Sequence, residues 1–246
     1  MGRFGLAPPF LLHAKKARQS LYGSSPRGPP LTKEIPTMKN SLIVASVAAL
    51  SLSASLAHAD GIGVNLGLRT GYSIALGDAD ANSKLSDGIS GAIPLHLDAT
   101  YAITPAINAG LYFGYGFGMA GSKSPPDGVT VNNSTLAYGL QANMLFPSEG
   151  ISGWAGVFGG LESGTSKASQ GSLTATSTAS GWQAGVQGGA DWKVAPSFVV
   201  GPFASLAFGQ YGSLKIESPD ATVTGDVADK GTHEWLTIGV RGSYGL

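Results

Sequence analysis

From residue 62 onward the chain alternates. Ile62, Val64, Leu66, Leu68, Tyr72, Ile74 and Leu76 are apolar, and Gly63, Asn65, Gly67, Arg69, Gly71 and Ser73 stand between them. A period of two sends successive side chains to opposite faces, so the segment predicts a strand with one apolar and one polar face. The rhythm returns at 93–101, where Ile93, Leu95, Leu97, Ala99 and Tyr101 alternate with Pro94, His96, Asp98 and Thr100. It is clearest at 107–119, where Leu111, Phe113, Tyr115 and Phe117 alternate with Tyr112 and glycines. Further strands are expected at 135–146, 153–164, 181–194, 198–211 and 235–246. In 153–164 the register stays open, because Trp154 and Phe158 share one face and Val157 and Leu161 the other.

The connections alternate in length. Long polar segments are expected as loops at 77–90, 120–134, 165–180 and 212–234, and the other joints are short: Thr104-Pro105-Ala106, Pro147 to Ser152, and Ala195-Pro196-Ser197. Tight turns at one rim and long loops at the other are the plan of an outer-membrane barrel. Hydrocarbon cannot hydrogen-bond a free strand edge, so such a sheet must close on itself, here by pairing 62–76 with 235–246. Aromatic residues are expected in two interfacial girdles: Tyr101, Phe146, Trp154, Trp192, Phe198 and Tyr244 near the short turns, and Tyr72, Tyr115, Phe117, Tyr138, Trp182, Phe208 and Trp235 near the long loops. The competing reading is a soluble two-sheet sandwich, in which the apolar faces would form a core.

The amino-terminal quarter follows other rules. Residues 38–59 read MKNSLIVASVAALSLSASLAHA: a short region with Lys39, an apolar stretch, and Ala57-His58-Ala59 as a cleavage site. That is the layout of a cleaved signal peptide, and the stretch is shorter than the ~20 apolar residues of a spanning helix. Residues 1–37 are rich in Pro, Gly and basic residues without periodicity, and are expected to be an upstream extension, with translation starting at Met38. Up to Ala59 the chain carries a net charge of +6, and from Asp60 onward −6, so the overall neutrality hides an acidic mature part. The absence of cysteine excludes a disulfide framework, a thiolate metal site and a lipidated cysteine.

Together the signal peptide, the eight strands and the alternation of turns and loops resemble the small outer-membrane barrels of the opacity and OmpA/OmpX kind, over residues 60–246. The resemblance implies an all-β, eight-stranded, antiparallel up-and-down transmembrane barrel. It also implies a monomer surrounded by outer-membrane lipid, an extracellular ligand of unspecified chemistry and no nucleic acid. In that family the last strand is read by the assembly machinery. Ile238, Val240, Tyr244 and Leu246 keep the alternation here, although a leucine stands where the family usually ends in an aromatic residue.

Candidate chemistry collects on the inward face: Arg69, His96, Asp98, Asp191, Lys193 and Arg241, with Asn65, Gln141, Asn143, Gln183 and Gln187. An eight-stranded barrel is just wide enough for side chains to fill, so these predict a polar plug with paired charges. Asp98, Arg69 and Arg241 fall on consecutive strands once the barrel closes, and are the expected cluster. A structural or surface-interaction role with a largely plugged lumen follows. Two alternatives remain: a narrow pore lined by the same residues, and a barrel-borne hydrolase of envelope lipid using His96 and Asp98, which has no identifiable nucleophile. No catalytic, cofactor or metal site is expected. Gly116 to Gly121 has dinucleotide spacing but leads to prolines rather than a helix. The acidic loop residues Asp78, Asp80, Asp87, Asp220, Asp226 and Asp229 lack the spacing of a calcium loop.

Overall fold

A computed structural model describes residues 63–80, 82–123, 125 and 127–246. The upstream extension 1–37 and the signal peptide 38–59 lie outside the described residues. The elements are β1 (Val64–Asp80), β2 (Ser83–Lys84), a single helical turn α1 (Leu85–Gly88), β3 (Ile89–Thr104), β4 (Ile107–Ala120), β5 (Thr130–Phe146), β6 (Ile151–Gln170), β7 (Leu173–Ala195), β8 (Phe198–Ser218), β9 (Ala221–Asp226) and β10 (His233–Gly245).

Eight of these strands form a ring, β1-β3-β4-β5-β6-β7-β8-β10, in which each neighbour is antiparallel. Closure is between the first and last strands, in register from Asn65↔Gly245 to Gly77↔His233. The short β2 and β9 add to β1 and β8 at the far rim. With no open edge in the ring, every ladder group of the spanning segments can be satisfied within the wall.

The faces are partitioned inside out relative to a water-soluble protein. Leu97, Leu111 and Leu140 are 55%, 60% and 66% exposed, whereas Arg69, Gln141, Glu162, Gln187 and Asp191 are buried. Burying apolar area is the main favourable term in water, so a soluble sandwich would place these leucines inside. A wall with apolar side chains outward and polar ones inward is stable only where the outer solvent is hydrocarbon.

Three expectations are corrected. The segments 165–180 and 212–234 are not simply loops: β6 and β7 continue as a hairpin to the pair Gln170↔Leu173, and β8 continues to Ser218 with β9 returning beside it. Serine and threonine read as solvated loop in the sequence. Threonine is also a good strand residue, and cross-strand pairs such as Thr165 with Thr178 and Ser169 with Thr174, each 3.2 Å apart, tie the ribbon together. The tight turn at Gly171 has φ +58°, which glycine tolerates without strain. The third correction concerns the girdles, because Trp154 and Trp235 point inward and are buried. The open register of β6 is thereby resolved: Trp154, Phe158 and Glu162 face the lumen, and Val157 and Leu161 face outward.

At the hairpin rim the mouth is capped. Leu85 of α1 is fully buried among Ala75, Ala79, Ile89, Ala92, Tyr211 and Trp235. The backbone of Gly121 donates to Gly88 O, and that of Ser122 to Ser86 O, both at 3.0 Å. Lys123 Nζ lies 2.7 Å from the Asp87 carboxylate. That hydrogen bond holds the half-buried Asp87 carboxyl below its ordinary value of 3.8.

Candidate functional site

The lumen is filled by layers of polar side chains, each carried by alternate residues of the strands. At mid-height Arg69 of β1 donates from Nε and Nη2 to the two carboxylate oxygens of Asp98 on β3, at 2.7 and 2.8 Å. The two residues are diagonal rather than opposite: the Cα partner of Asp98 is Gly67. A Cβ on Gly67 would lie 3.2 Å from the Asp98 carboxylate, so glycine leaves the space the acid occupies.

The third donor of Arg69, Nη1, crosses the lumen to Gln187 Oε1 on β7 at 2.6 Å. Gln187 Nε2 donates onward to Gln141 Oε1 at 2.9 Å and Asn143 Oδ1 at 2.7 Å. Gln141 Nε2 closes the circle on Asp98 Oδ1 at 2.9 Å. Arg69, Asp98, Gln141 and Gln187 thus form a hydrogen-bonded ring drawn from β1, β3, β5 and β7. Asn143 Nδ2 extends it to Asn108 Oδ1 at 2.9 Å. The side chains of Arg69 and Asp98 are 5% and 12% exposed, so the pair is largely cut off from water. A buried charge is tolerated only when paired and hydrogen-bonded, and here the bidentate geometry meets that condition.

A second layer lies toward the short turns. Arg241 of β10 binds both carboxylate oxygens of Asp191 on β7, from Nε at 2.9 Å and from Nη2. Its guanidinium sits 3.7 Å from the ring centroid of Trp154, a cation–π contact. Toward the mouth, Gln183 Nε2 donates to the Tyr112 hydroxyl at 3.0 Å, and Tyr112 meets Phe158 edge-on. Above that, Glu162 of β6 hydrogen-bonds His233 of β10, whose ring stacks on Tyr211 with centroids 4.3 Å apart.

The sequence-derived cluster is therefore divided. Arg69 and Asp98 meet, whereas Arg241 turns away to Asp191. His96 is the Cα partner of Arg69 and lies over Gly114, where a Cβ would fall 2.7 Å from the imidazole Cδ2; its Nδ1 has no hydrogen-bond partner among the described residues. Lys193 is exposed near the Ala195–Phe198 turn and joins neither layer. The strand-face argument did not single out Glu162, His233, Tyr211 or Trp154, although each shares its parity with an inward residue of its own strand. Among the described residues no group of three or more His, Cys, Asp or Glu is placed to hold a metal ion, and no helix is long and apolar enough to cross a membrane.

Among solved structures, a major outer membrane protein from Thermus thermophilus matches with a TM-score of 0.57, over 75% of this chain and 99% of that one, at 8% identity. The chain is a β-barrel of the bacterial outer-membrane type. At lower structural similarity, this outer-membrane barrel also matches Neisserial surface protein A (14% identity, TM-score 0.43, 74% of this chain and 96% of that one). It matches the outer membrane protease OmpT of Escherichia coli as well (9% identity, TM-score 0.41, 75% and 96%). No protein-family model matches the sequence of the barrel, and no curated protein matches it. At these identities the likeness concerns the fold, and the role must be argued from the side chains.

Proposed function

We propose that this outer-membrane barrel is a non-conducting structural or surface-interaction protein, with its lumen plugged and its hairpins presented outside the cell. The observation that carries the reading is the bond from Arg69 to Gln187, which crosses the lumen from β1 to β7 at 2.6 Å and belongs to a closed ring of four side chains. For a hydrated ion to pass, that ring must open, which means pulling the buried Arg69 guanidinium off Gln187 and leaving both groups short of a partner. Arg241 with Asp191 and Glu162 with His233 add further ties below and above it.

The external apparatus fits a surface role. The β6–β7 and β8–β9 hairpins extend the wall beyond the apolar band as ordered sheet, and β9 is exposed along its whole length. A rigid platform presents side chains to a partner at lower entropic cost than a mobile loop. In the outer membrane the last strand, ending in the outward Tyr244 and Leu246, would carry the signal for assembly.

Single-channel recording on the purified full chain in planar bilayers tests the proposal. No conductance steps above the lipid background are expected. Regular steps that change in size when Asp98 is neutralised would overturn it in favour of a narrow pore.

A further inference from the structure

On the outer wall, between β5 and β8, the side chains change character in two consecutive rows. Cross-strand register places Tyr138, Leu161, Trp182 and Gln210 in one row. The next row toward the hairpin rim is Leu136, Ser163, Ser180 and Ser213. Between Ser180 and Gly181 the pairing of β7 with β8 shifts by a bulge, with Gly212 as the extra residue. A bulge bends the strand and deepens the local twist. A groove follows, lined by these two rows, by the intervening Gly181, Gly212 and lumen-facing Glu162, and by Lys230 from the segment after β9.

The order along the barrel axis is that of a lipid molecule. Tyr138, Leu161 and Trp182 offer apolar and aromatic surface at the level where an outer girdle is expected. Three serine hydroxyls lie in the row above them, and Lys230 supplies a cation. Lys230 is exposed and forms no ion pair among the described residues, whereas Lys215, one row further out, is engaged by Glu217 at 2.8 Å. Asp226 stands at the far end of the serine row as the Cα partner of Ser213.

We propose that this groove is a binding site for a phosphorylated glycolipid of the outer leaflet. Its upper acyl methylenes lie on Leu161 and Trp182, its phosphate pairs with Lys230, and its sugar hydroxyls hydrogen-bond Ser163, Ser180 and Ser213. An exposed cation just beyond an apolar band attracts the anionic headgroups that the membrane itself provides. The serine row suits a sugar better than it suits a bare phosphate ester, because each hydroxyl can donate and accept. The inference rests on the outer wall facing a bilayer, and goes beyond the plugged-lumen reading, which it neither needs nor supports.

The test is native mass spectrometry of the full chain, folded in detergent and titrated with diphosphoryl lipid A, dephosphorylated lipid A or phosphatidylglycerol. Folding of each variant is checked by the shift between unheated and boiled samples on a gel. The wild type is expected to retain one lipid A, and dephosphorylated lipid A to bind about tenfold more weakly, the value of ~1.4 kcal/mol. Lys230→Gln is expected to weaken retention of lipid A about fivefold, as loss of one membrane-proximal cation would. Trp182→Ala is expected to weaken both glycolipids alike, and Lys193→Gln, at the opposite rim, to change nothing. Folded Lys230→Gln and Trp182→Ala proteins that retain lipid A like the wild type would overturn the site. Equal retention of phosphatidylglycerol would reduce it to simple charge attraction and overturn the assignment to a glycolipid. Absence of any heat-modifiable band would instead defeat the barrel reading beneath it.

Discussion

Removing Asp98 while keeping Arg69 is the most informative perturbation of the lumen. Asp98→Ala deletes the two acceptors of Arg69, at 2.7 and 2.8 Å, and the acceptor of Gln141 at 2.9 Å. It leaves a guanidinium whose side chain is only 5% exposed without a counter-charge. Breaking a buried pair by deleting one partner costs about 3–5 kcal/mol, because the remaining charge stays desolvated. Deleting both with apolar residues of similar bulk, as in Arg69→Met with Asp98→Leu, costs far less, since no charge is stranded. The double mutant should therefore be more stable than Asp98→Ala alone by about 2 kcal/mol or more, a coupling typical of residues in one network. The assay is reversible urea unfolding of the barrel in lipid vesicles, followed by tryptophan fluorescence and by gel mobility of unheated samples. If Asp98→Ala costs under about 1 kcal/mol, the range of exposed ion pairs, the ring is wet and the plug argument fails.

Four tryptophans supply a second check, because Trp182 and Trp192 are exposed on the wall and Trp154 and Trp235 are buried inside it. In single-tryptophan variants, brominated lipid should quench the first two strongly and the last two hardly at all; quenching of Trp154 would reverse the register of β6. Gly209→Ala would place a Cβ 2.5 Å from Glu162 Oε1 and 2.7 Å from His233 Nε2, forcing the pair apart. A cost of about 1–3 kcal/mol is expected for such overpacking, read as a lower temperature for the unheated-to-heated gel shift. At the cap, the Asp87 carboxyl is held below 3.8 by Lys123, so the contact is complete above 3.8 and is lost as pH falls through the lowered value. A carboxyl-carbon NMR titration should show this midpoint rising toward the ordinary value in Lys123→Gln, and an unchanged midpoint would remove Lys123 as the cause.

The wall was legible because a barrel in lipid divides its strands more sharply than a soluble sheet does. Outside must be apolar and inside must be polar or small, so period-two alternation recovers strand, face and count together. The ribbons beyond the membrane were not legible, because outside the bilayer both faces meet water and alternation vanishes. Thr165 to Ser180 reads as loop by composition, and only pairing across Gly171 shows it to be sheet. The two misplaced tryptophans have a different cause. Trp235 has the parity of Thr237 and Arg241, and Trp154 that of Phe158, so face should have outweighed residue type; an indole is as apt a partner for a lumen arginine as it is for a lipid interface.

The partners across the lumen were beyond strand patterning for a geometric reason. Arg69 and Arg241 are Cα partners on adjacent strands, so two like charges start side by side, which is unfavourable unless each finds its own acid. Sequence order suggested one shared cluster around Asp98. The structure separates the two by direction. Asp98, diagonal on β3, claims Arg69 from one side, while Asp191 claims Arg241 from two strands away on the other. Between β10 and β7 the strand β8 presents Gly201 opposite Arg241, where a side chain would collide with the backbone at Ala190 and Asp191. The path that lets Arg241 reach Asp191 is thus cleared by a missing side chain rather than marked by a present one. The same neighbourhood offers Phe203 to the Arg69 guanidinium at 5.6 Å and Trp154 to Arg241 at 3.7 Å, so each cation has an acid and an aromatic face of its own. Like-charge repulsion between adjacent arginines, resolved in opposite directions, sets two separate ion pairs in the lumen, Arg69 with Asp98 and Arg241 with Asp191, instead of one shared cluster.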